Sequence, residues 1–173
     1  DPLAKQSVQM IFKALPIAYR EPNNLEARQD MHDASCLGGI AFTNALLGVV
    51  HAMAHQLGGM FGIPHGCANA ILMPNIVRYN SKATNKYEDL AKALGKETAE
   101  DYAVAIEELR AEVDVVSTIS EYGISAADWN GKLDEITKNA MADACIGANP
   151  RTPTEDEVKK IFEYCYKGMT VDF

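Results

Sequence analysis

The chain has no Asp, Glu, Lys or Arg between Asp33 and Arg78, although these residue types make up 23% of the whole sequence. The only strongly basic side chains in that stretch are three histidines, His51, His55 and His65. An uncharged sequence rich in Gly, Ala and Leu is typical of buried protein, where the charged imidazolium is poorly solvated and the neutral form is favoured. Neutral imidazoles bind metal ions, so we expect the chemistry of the chain in this stretch.

The chain also lacks any cluster of Lys and Arg, and its formal net charge is −8. Five of the 24 acidic residues precede position 80 and nineteen follow it, which indicates a solvated acidic face in the second half. This balance argues against nucleic acid and anionic membranes as partners. The four cysteines have no CxxC spacing, so neither a zinc ribbon nor a disulfide framework is indicated, and a reducing cytoplasm is the expected location.

The sequence has no secretory signal and begins at Asp1-Pro2 without an initiator Met, so we expect a fragment of a longer protein. The uncharged segment 36–54 is long enough to suggest a membrane-spanning helix. Glycines and polar residues within this segment lower its hydrophobicity, however, which favours a buried core helix instead. With 173 residues, of which 47% are hydrophobic, we expect a single domain over residues 1–173.

No alternating apolar and polar run is long enough to predict a strand, whereas signals for helix starts and stops recur along the chain. In the first half they predict a helix capped by Asp1 and interrupted at Pro16, a second from near Asn24, a third over about 48–60 and a fourth over about 65–80.

Two polar pairs in the second half are typical of helix N-termini. Thr98 and Asp101 form a capping-box pair, and the apolar positions 102, 106, 109, 113 and 116 that follow predict one amphipathic helix. Ser125 and Asp128 repeat the signal before another helix.

The last helix is predicted from Thr152 as N-cap to Gly168 as its stop, with a buried stripe at positions 158, 161, 162 and 165. The chain is therefore predicted to be an all-α helical bundle without internal repeats.

The three histidines have a spacing that suits a metal site. His51 and His55 are four residues apart, so on a helix they project from the same face, roughly 6 Å from each other. His65 follows a corner rich in glycine and proline at 58–64, and a helix reversal there brings it back beside the other two. An HxxxH pair alone is weak evidence, and the alternative that these are hydrogen-bonded core histidines stays open.

The residues around the histidines restrict the kind of site. A zinc protease of the HExxH type places a glutamate general base directly after the first histidine, where this chain has Ala52, so a zinc hydrolase is disfavoured. A divalent cation held by neutral imidazoles alone also lacks compensating charge, and the stretch supplies no carboxylate. Part of the site must therefore come from outside it.

Residues 48–59, GVVHAMAHQLGG, and residues 63–70, IPHGCANA, resemble the signature of the iron-containing (group III metal-dependent) alcohol dehydrogenases. Residues 76–80, IVRYN, and 144–151, ACIGANPR, continue the likeness, which covers essentially the whole chain. The resemblance implies the C-terminal helical metal-binding domain of the fold shared with dehydroquinate synthase-like proteins. The N-terminal α/β domain of that family, which binds NAD(P) through a Gly-rich loop, has no match here.

The resemblance also assigns roles to residues. It implies that His51 and His65 are metal ligands, and that His55 lies beside them as a catalytic residue near the nicotinamide and the substrate. Phe42 and Cys145 match positions that line the substrate and cofactor cleft. The other two ligands of the family, an Asp and a His one helical turn apart, match nothing in the fifty residues before His51.

The implied activity is the interconversion of a primary alcohol and an aldehyde with NAD or NADP, supported by Fe²⁺ or alternatively Zn²⁺. The implied partners are the small alcohol or aldehyde, the missing nucleotide-binding domain and further copies in a homo-oligomer. Because two ligands cannot replace four, we expect the isolated chain to bind metal weakly and to be inactive. The alternative is a non-catalytic helical interaction module that keeps the motif only as packing.

Overall fold

The structure, a computed structural model, describes residues 2–173, and within them it contains helices and no strand. The predicted all-α class is therefore confirmed, whereas the predicted cap Asp1 lies outside the described residues. The helices are α1 (Pro2–Arg20), α2 (Leu25–Ala45), α3 (Val49–Phe61), α4 (His65–Ser81), α5 (Lys86–Ala93), α6 (Ala99–Glu112), α7 (Ala126–Ala142) and α8 (Glu155–Lys167), with two short 3-10 segments, Ser120–Tyr122 and Ala144–Ala148.

Helix α1 continues through Pro16 to Arg20, so the predicted interruption is wrong. Proline in a helix removes the hydrogen bond that its own N–H would donate, and its ring crowds the carbonyl four residues earlier. The Pro16 ring is buried, and this burial offsets part of that cost. Small residues then let α2 approach α1 closely. The Ser7 hydroxyl donates to the carbonyl of Ala34 at 2.7 Å, and a Cβ on Gly38 would lie 3.1 Å from that hydroxyl oxygen.

Local capping determines the ends of the later helices. Both predicted pairs are confirmed, because the Thr98 side chain accepts from the N–H of Asp101 and the Ser125 side chain accepts from the N–H of Asp128. The helix α6 nevertheless ends at Glu112 and excludes positions 113 and 116, since the chain turns away with a φ of 55° at position 114.

The start of α8 differs from the prediction by two residues. Its N-cap is Thr154 rather than Thr152, because the carboxylate of Glu157 accepts from the Thr154 N–H and the Thr154 hydroxyl accepts from the Glu157 N–H. This reciprocal capping box satisfies two backbone donors. Thr152 and Glu155 have the same spacing, but the Glu157 carboxylate also accepts hydrogen bonds from Tyr79 and Arg151, which favours the box that contains Glu157. The predicted buried stripe of α8 and its stop at Gly168, with a φ of 71°, are confirmed.

The main core lies between α3, α4, α7 and α8, around the fully buried ring of Trp129, which stacks on Tyr166 with ring centroids 4.6 Å apart. Helix α3 contributes Val49, Met53 and Leu57 to this core. These positions lie on the opposite face of α3 from positions 51 and 55. Packing of the core therefore turns both histidines of α3 towards the outside of the bundle.

The corner between α3 and α4 is built by glycine and proline. Gly62 adopts a left-handed conformation with a φ of 69°, and its N–H bonds to the carbonyl of Gly58 at 3.0 Å. This conformation is disfavoured for other residues and ends α3 sharply. Pro64 then precedes His65, the first residue of α4, which packs back against α3.

The uncharged stretch is only partly buried. Its α3 portion lies in the core, but at the end of α2 the side chains of Ile40, Phe42 and Leu46 are 47%, 50% and 70% exposed. The expectation of one buried core helix over 36–54 is therefore wrong, because the chain bends between α2 and α3 by 113°. Among the described helices, none is long and apolar enough by itself to span a membrane, and only α2 and α3 taken together meet that test.

Candidate metal centre

The structure brings three imidazoles together where α3 meets the start of α4. The ring centroids of His51 and His65 lie 5.3 Å apart, those of His55 and His65 5.4 Å, and those of His51 and His55 6.2 Å. The rings of His55 and His65 are nearly parallel, at 19°. Four-residue spacing on α3 and the Gly-Pro corner together produce this arrangement.

His51 is the most enclosed of the three. Burial lowers its pKa below the ordinary value, and the neighbouring His65 and His55 lower that pKa further. Its Nδ1 is buried, and the described residues offer it no hydrogen-bond partner. A buried polar atom without a partner costs free energy, and a bound cation would remove that cost. Both observations suit a neutral imidazole that acts as a ligand.

His65 is exposed, and its ring is oriented by Asn69, one turn later on α4. The Nδ2 of Asn69 donates to the carbonyl of His65 at 2.9 Å and lies 3.1 Å from the ring Nε2. Hydrogen bonds of this kind fix the direction in which a histidine presents its nitrogen atoms.

His55 contacts an acidic residue that the sequence did not single out. Its Nδ1 lies 2.8 Å from Oδ2 of Asp143, which directly follows α7. Burial alone would raise the pKa of the Asp143 carboxyl, but hydrogen bonds from His55 and from the Cys145 N–H hold that pKa below its usual value. Asp143 is thus a carboxylate next to the imidazoles, bound to His55 rather than to either of the two histidines predicted as metal ligands.

Cys145 and Phe42, the two predicted cleft residues, lie in different surroundings. Cys145 is partly buried beside Asp143, and burial together with that carboxylate raises the pKa of its thiol. Phe42 lies on the last turns of α2 with half of its side chain exposed, and among the described residues it makes no ring contact with the histidines.

Within residues 2–173, one set of three possible ligand residues has donor atoms that all lie within 4.8 Å of one another, namely His55, Asp143 and Cys145. Sequence reasoning missed Asp143 because it lies 88 positions from His55. The one signal that could have drawn attention to it is its position just before the segment 144–151, where the resemblance places Cys145.

Comparison with known proteins gives a consistent result over this whole region. A family model described as "Fe-containing alcohol dehydrogenase family, C-terminal" matches residues 1–166. The NADPH-dependent butanol dehydrogenase of Clostridium saccharobutylicum is 43% identical over 180 aligned positions, which cover 100% of this chain and 46% of that protein. The bifunctional aldehyde-alcohol dehydrogenase AdhE of Escherichia coli is 37% identical over 97% of this chain and 22% of its own length.

Solved structures show the same helical arrangement. A crystal structure of 1,3-propanediol oxidoreductase superposes with a TM-score of 0.90 at 35% identity and covers 96% of this chain and 45% of that chain. An iron-containing alcohol dehydrogenase from Thermococcus thioreducens gives a TM-score of 0.90 at 29% identity, over 97% and 44% of the two chains. This chain therefore spans less than half the length of these relatives.

Proposed function

Because the chain belongs to the Fe-containing alcohol dehydrogenase family, we propose that it carries the metal centre of an enzyme that interconverts alcohols and aldehydes with NAD(P). Residues 1–173 would act as a single helical metal-binding domain, equivalent to the C-terminal part of the relatives. The observation that carries this proposal is the convergence of the three imidazoles, with ring centroids 5.3 to 6.2 Å apart.

His51 and His65 are the proposed ligands of a divalent cation. The unpartnered, buried Nδ1 of His51 and its lowered pKa fit this role, and the contact with Asn69 gives the ring of His65 a defined direction. Imidazole suits both Fe²⁺ and Zn²⁺, and we propose Fe²⁺ because of the family. The remaining ligands would come from the part of the relatives that this chain does not span.

The proposed chemistry divides between the cation and the side chains around it. When bound, the divalent cation supplies Lewis acidity, which polarises the oxygen of an alcohol or aldehyde. His55 is 40% exposed on its side chain and lies beside both proposed ligands, so it is placed to take up the hydroxyl proton of the alcohol or return it to the aldehyde. Cys145 and Phe42 would form part of the cleft wall.

The hydride acceptor in this proposal is the nicotinamide nucleotide, bound mainly by the region of the relatives outside this chain. The partners are then that nucleotide-binding region, a small alcohol or aldehyde, and further copies in a homo-oligomer. We expect the chain alone to consume no NAD(P)H with Fe²⁺ and a short aldehyde. Steady NAD(P)H consumption by the purified chain would contradict this division of roles.

A hybrid enzyme tests the proposal directly. This chain replaces the corresponding region of the butanol dehydrogenase of Clostridium saccharobutylicum, and NADPH consumption is measured with butyraldehyde and Fe²⁺ under anaerobic conditions. We expect activity that His51→Ala or His65→Ala abolishes and that His32→Ala, at an exposed histidine elsewhere, leaves unchanged. A folded hybrid that binds no metal in this region would contradict the proposal and favour an interaction module.

A further inference from the structure

Asp143 holds a different neighbour with each of its two carboxylate oxygens. Its Oδ2 lies 2.8 Å from Nδ1 of His55, and its Oδ1 accepts the backbone N–H of Cys145 at 2.8 Å. An ionised carboxylate accepts hydrogen bonds and donates none. The hydrogen in the first of these contacts must therefore be carried by Nδ1 of His55.

From this geometry we propose that Asp143 is a positioning residue, which fixes His55 as the Nδ1–H tautomer and leaves the lone pair of Nε2 free for the substrate. This inference rests on the proposed function and deepens it. In the direction of alcohol oxidation, the hydroxyl O–H bond breaks and its proton forms a new N–H bond at Nε2. The resulting imidazolium is stabilised by the carboxylate of Asp143, which itself stays ionised.

The surroundings of Asp143 keep its carboxylate in place. The residue directly follows α7, and its side chain caps the short 3-10 segment Ala144–Ala148 by accepting the second N–H of that segment. Its side chain is only 16% exposed, whereas that of His55 is 40% exposed. The hydrogen bond is thus sheltered on the side of the carboxylate, while His55 remains accessible.

The three residues His55, Asp143 and Cys145 are close enough to suggest a cation site of their own. Hydrogen bonds already join Asp143 to both of the others, however, and the proximity of that carboxylate favours the thiol form of Cys145 over the thiolate that binds metal. The proximity of these three side chains is therefore explained by the orientation of His55, and no bound cation is needed to explain it.

The substitution Asp143→Asn separates orientation from simple packing. The asparagine amide has one acceptor oxygen in place of two. We expect that oxygen to keep the hydrogen bond from the backbone N–H of Cys145, because this N–H cannot turn to another acceptor. The NH₂ group of the new side chain then faces Nδ1 of His55, which can accept that hydrogen bond only without its own proton. The tautomer of His55 should therefore reverse, with the proton moving to Nε2.

The test is an NMR measurement on the purified, metal-free chain labelled with ¹⁵N-histidine, at about two pH units above the ordinary imidazole pKa. The resonances of His55 are assigned from their loss in His55→Gln. We expect a protonated Nδ1 and an unprotonated Nε2 in the wild type, and the reverse in Asp143→Asn. Cys145→Ser keeps the backbone N–H and should leave the wild-type pattern unchanged.

Two results would overturn the inference. One is a wild-type His55 whose proton lies on Nε2. This result contradicts the inference by itself, even if Asp143→Asn fails to fold. The other is an unchanged tautomer in a folded Asp143→Asn, with the exposed His32 as internal reference. Both results come from NMR of the metal-free protein. A failure of the proposed function would instead appear as an absence of metal binding at His51 and His65, with the tautomer of His55 as we expect it.

Discussion

The side-chain amides of Asn80 and Asn149 form a reciprocal pair, with hydrogen bonds of 3.1 and 2.7 Å between the end of α4 and the segment that follows α7. Both residues are buried, and Oδ1 of Asn149 also accepts the N–H of Val49 at 3.1 Å. Val49 is the first residue of α3. The pair therefore fixes the start of the helix that carries His51 and His55.

Gly48 leaves the space that this arrangement needs, and Gly48→Ala should destabilise the protein. A Cβ at position 48 would lie 2.7 Å from Oδ1 of Asn149, so the amide would have to move away from Val49 and Asn80. We expect the free energy of unfolding in urea to fall by about 1–3 kcal/mol, since buried polar groups lose their partners. The backbone of Gly48 is extended, so conformational strain does not contribute.

Gly59→Ala, within α3, is the matched control for Gly48→Ala. A Cβ there would meet nothing within 4 Å, and alanine favours a helix by up to about 1 kcal/mol relative to glycine. This variant should be as stable as the wild type or more stable. Equal stabilities of the two variants would contradict the role assigned to the asparagine pair.

The cysteines should differ in reactivity towards a thiol reagent at about pH 8. Cys36 is exposed, whereas Cys165 is buried in the core, where burial raises the pKa of its thiol to about 11. We expect rapid labelling of Cys36 in the native protein and labelling of Cys165 only after unfolding. Cys36→Ser should remove the rapid phase, and mass spectrometry that finds the rapid label on Cys165 would show that the core is packed differently.

Tyr79 should make stability depend on alkaline pH. Burial and the hydrogen bond that its hydroxyl donates to Glu157 raise the pKa of Tyr79 to about 12. The folded state then holds this proton more tightly than the unfolded state, whose pKa is about 10. The stabilisation is complete below about pH 10 and is lost as pH rises towards 12.

Tyr79→Phe removes both the hydrogen bond and the ionisable group. It should lower the free energy of unfolding by about 1 kcal/mol at pH 9, because the carboxylate of Glu157 loses a donor. The difference in the free energy of unfolding between wild type and variant should narrow between about pH 10 and 12, since only the wild type loses the contribution of the Tyr79 hydroxyl. A gap of constant size across that range, in urea unfolding, would contradict the raised pKa.

Local features of the sequence were sufficient to predict most helices. The pairs Thr98–Asp101 and Ser125–Asp128 lie within one turn, so their hydrogen bonds depend on nothing distant. The start of α8 was misplaced because Thr152 with Glu155 and Thr154 with Glu157 both have the spacing of a capping box. Glu157 also accepts a hydrogen bond from Tyr79, which is 78 positions away and is not visible in the local sequence.

Contacts between distant parts of the chain were beyond sequence patterns. The spacing of His51, His55 and His65 predicted a cluster from one helix and one corner, which are local features. The contact of Asp143 with His55 joins positions 88 apart and depends on the packing of α7 against α3. The charge-balance argument concerned a carboxylate ligand of the cation, and no pattern along the chain indicated a carboxylate that contacts His55.

The central claim, that His51 and His65 bind one divalent cation, is tested most directly by calorimetric titration of the purified chain with Zn²⁺ or, without oxygen, Fe²⁺. We expect one weakly bound ion, and an affinity at least about 10-fold lower in His51→Ala and in His65→Ala, because each removes a ligand nitrogen. His32→Ala should bind as the wild type does. Unchanged affinity in the double variant lacking both His51 and His65 would contradict the account.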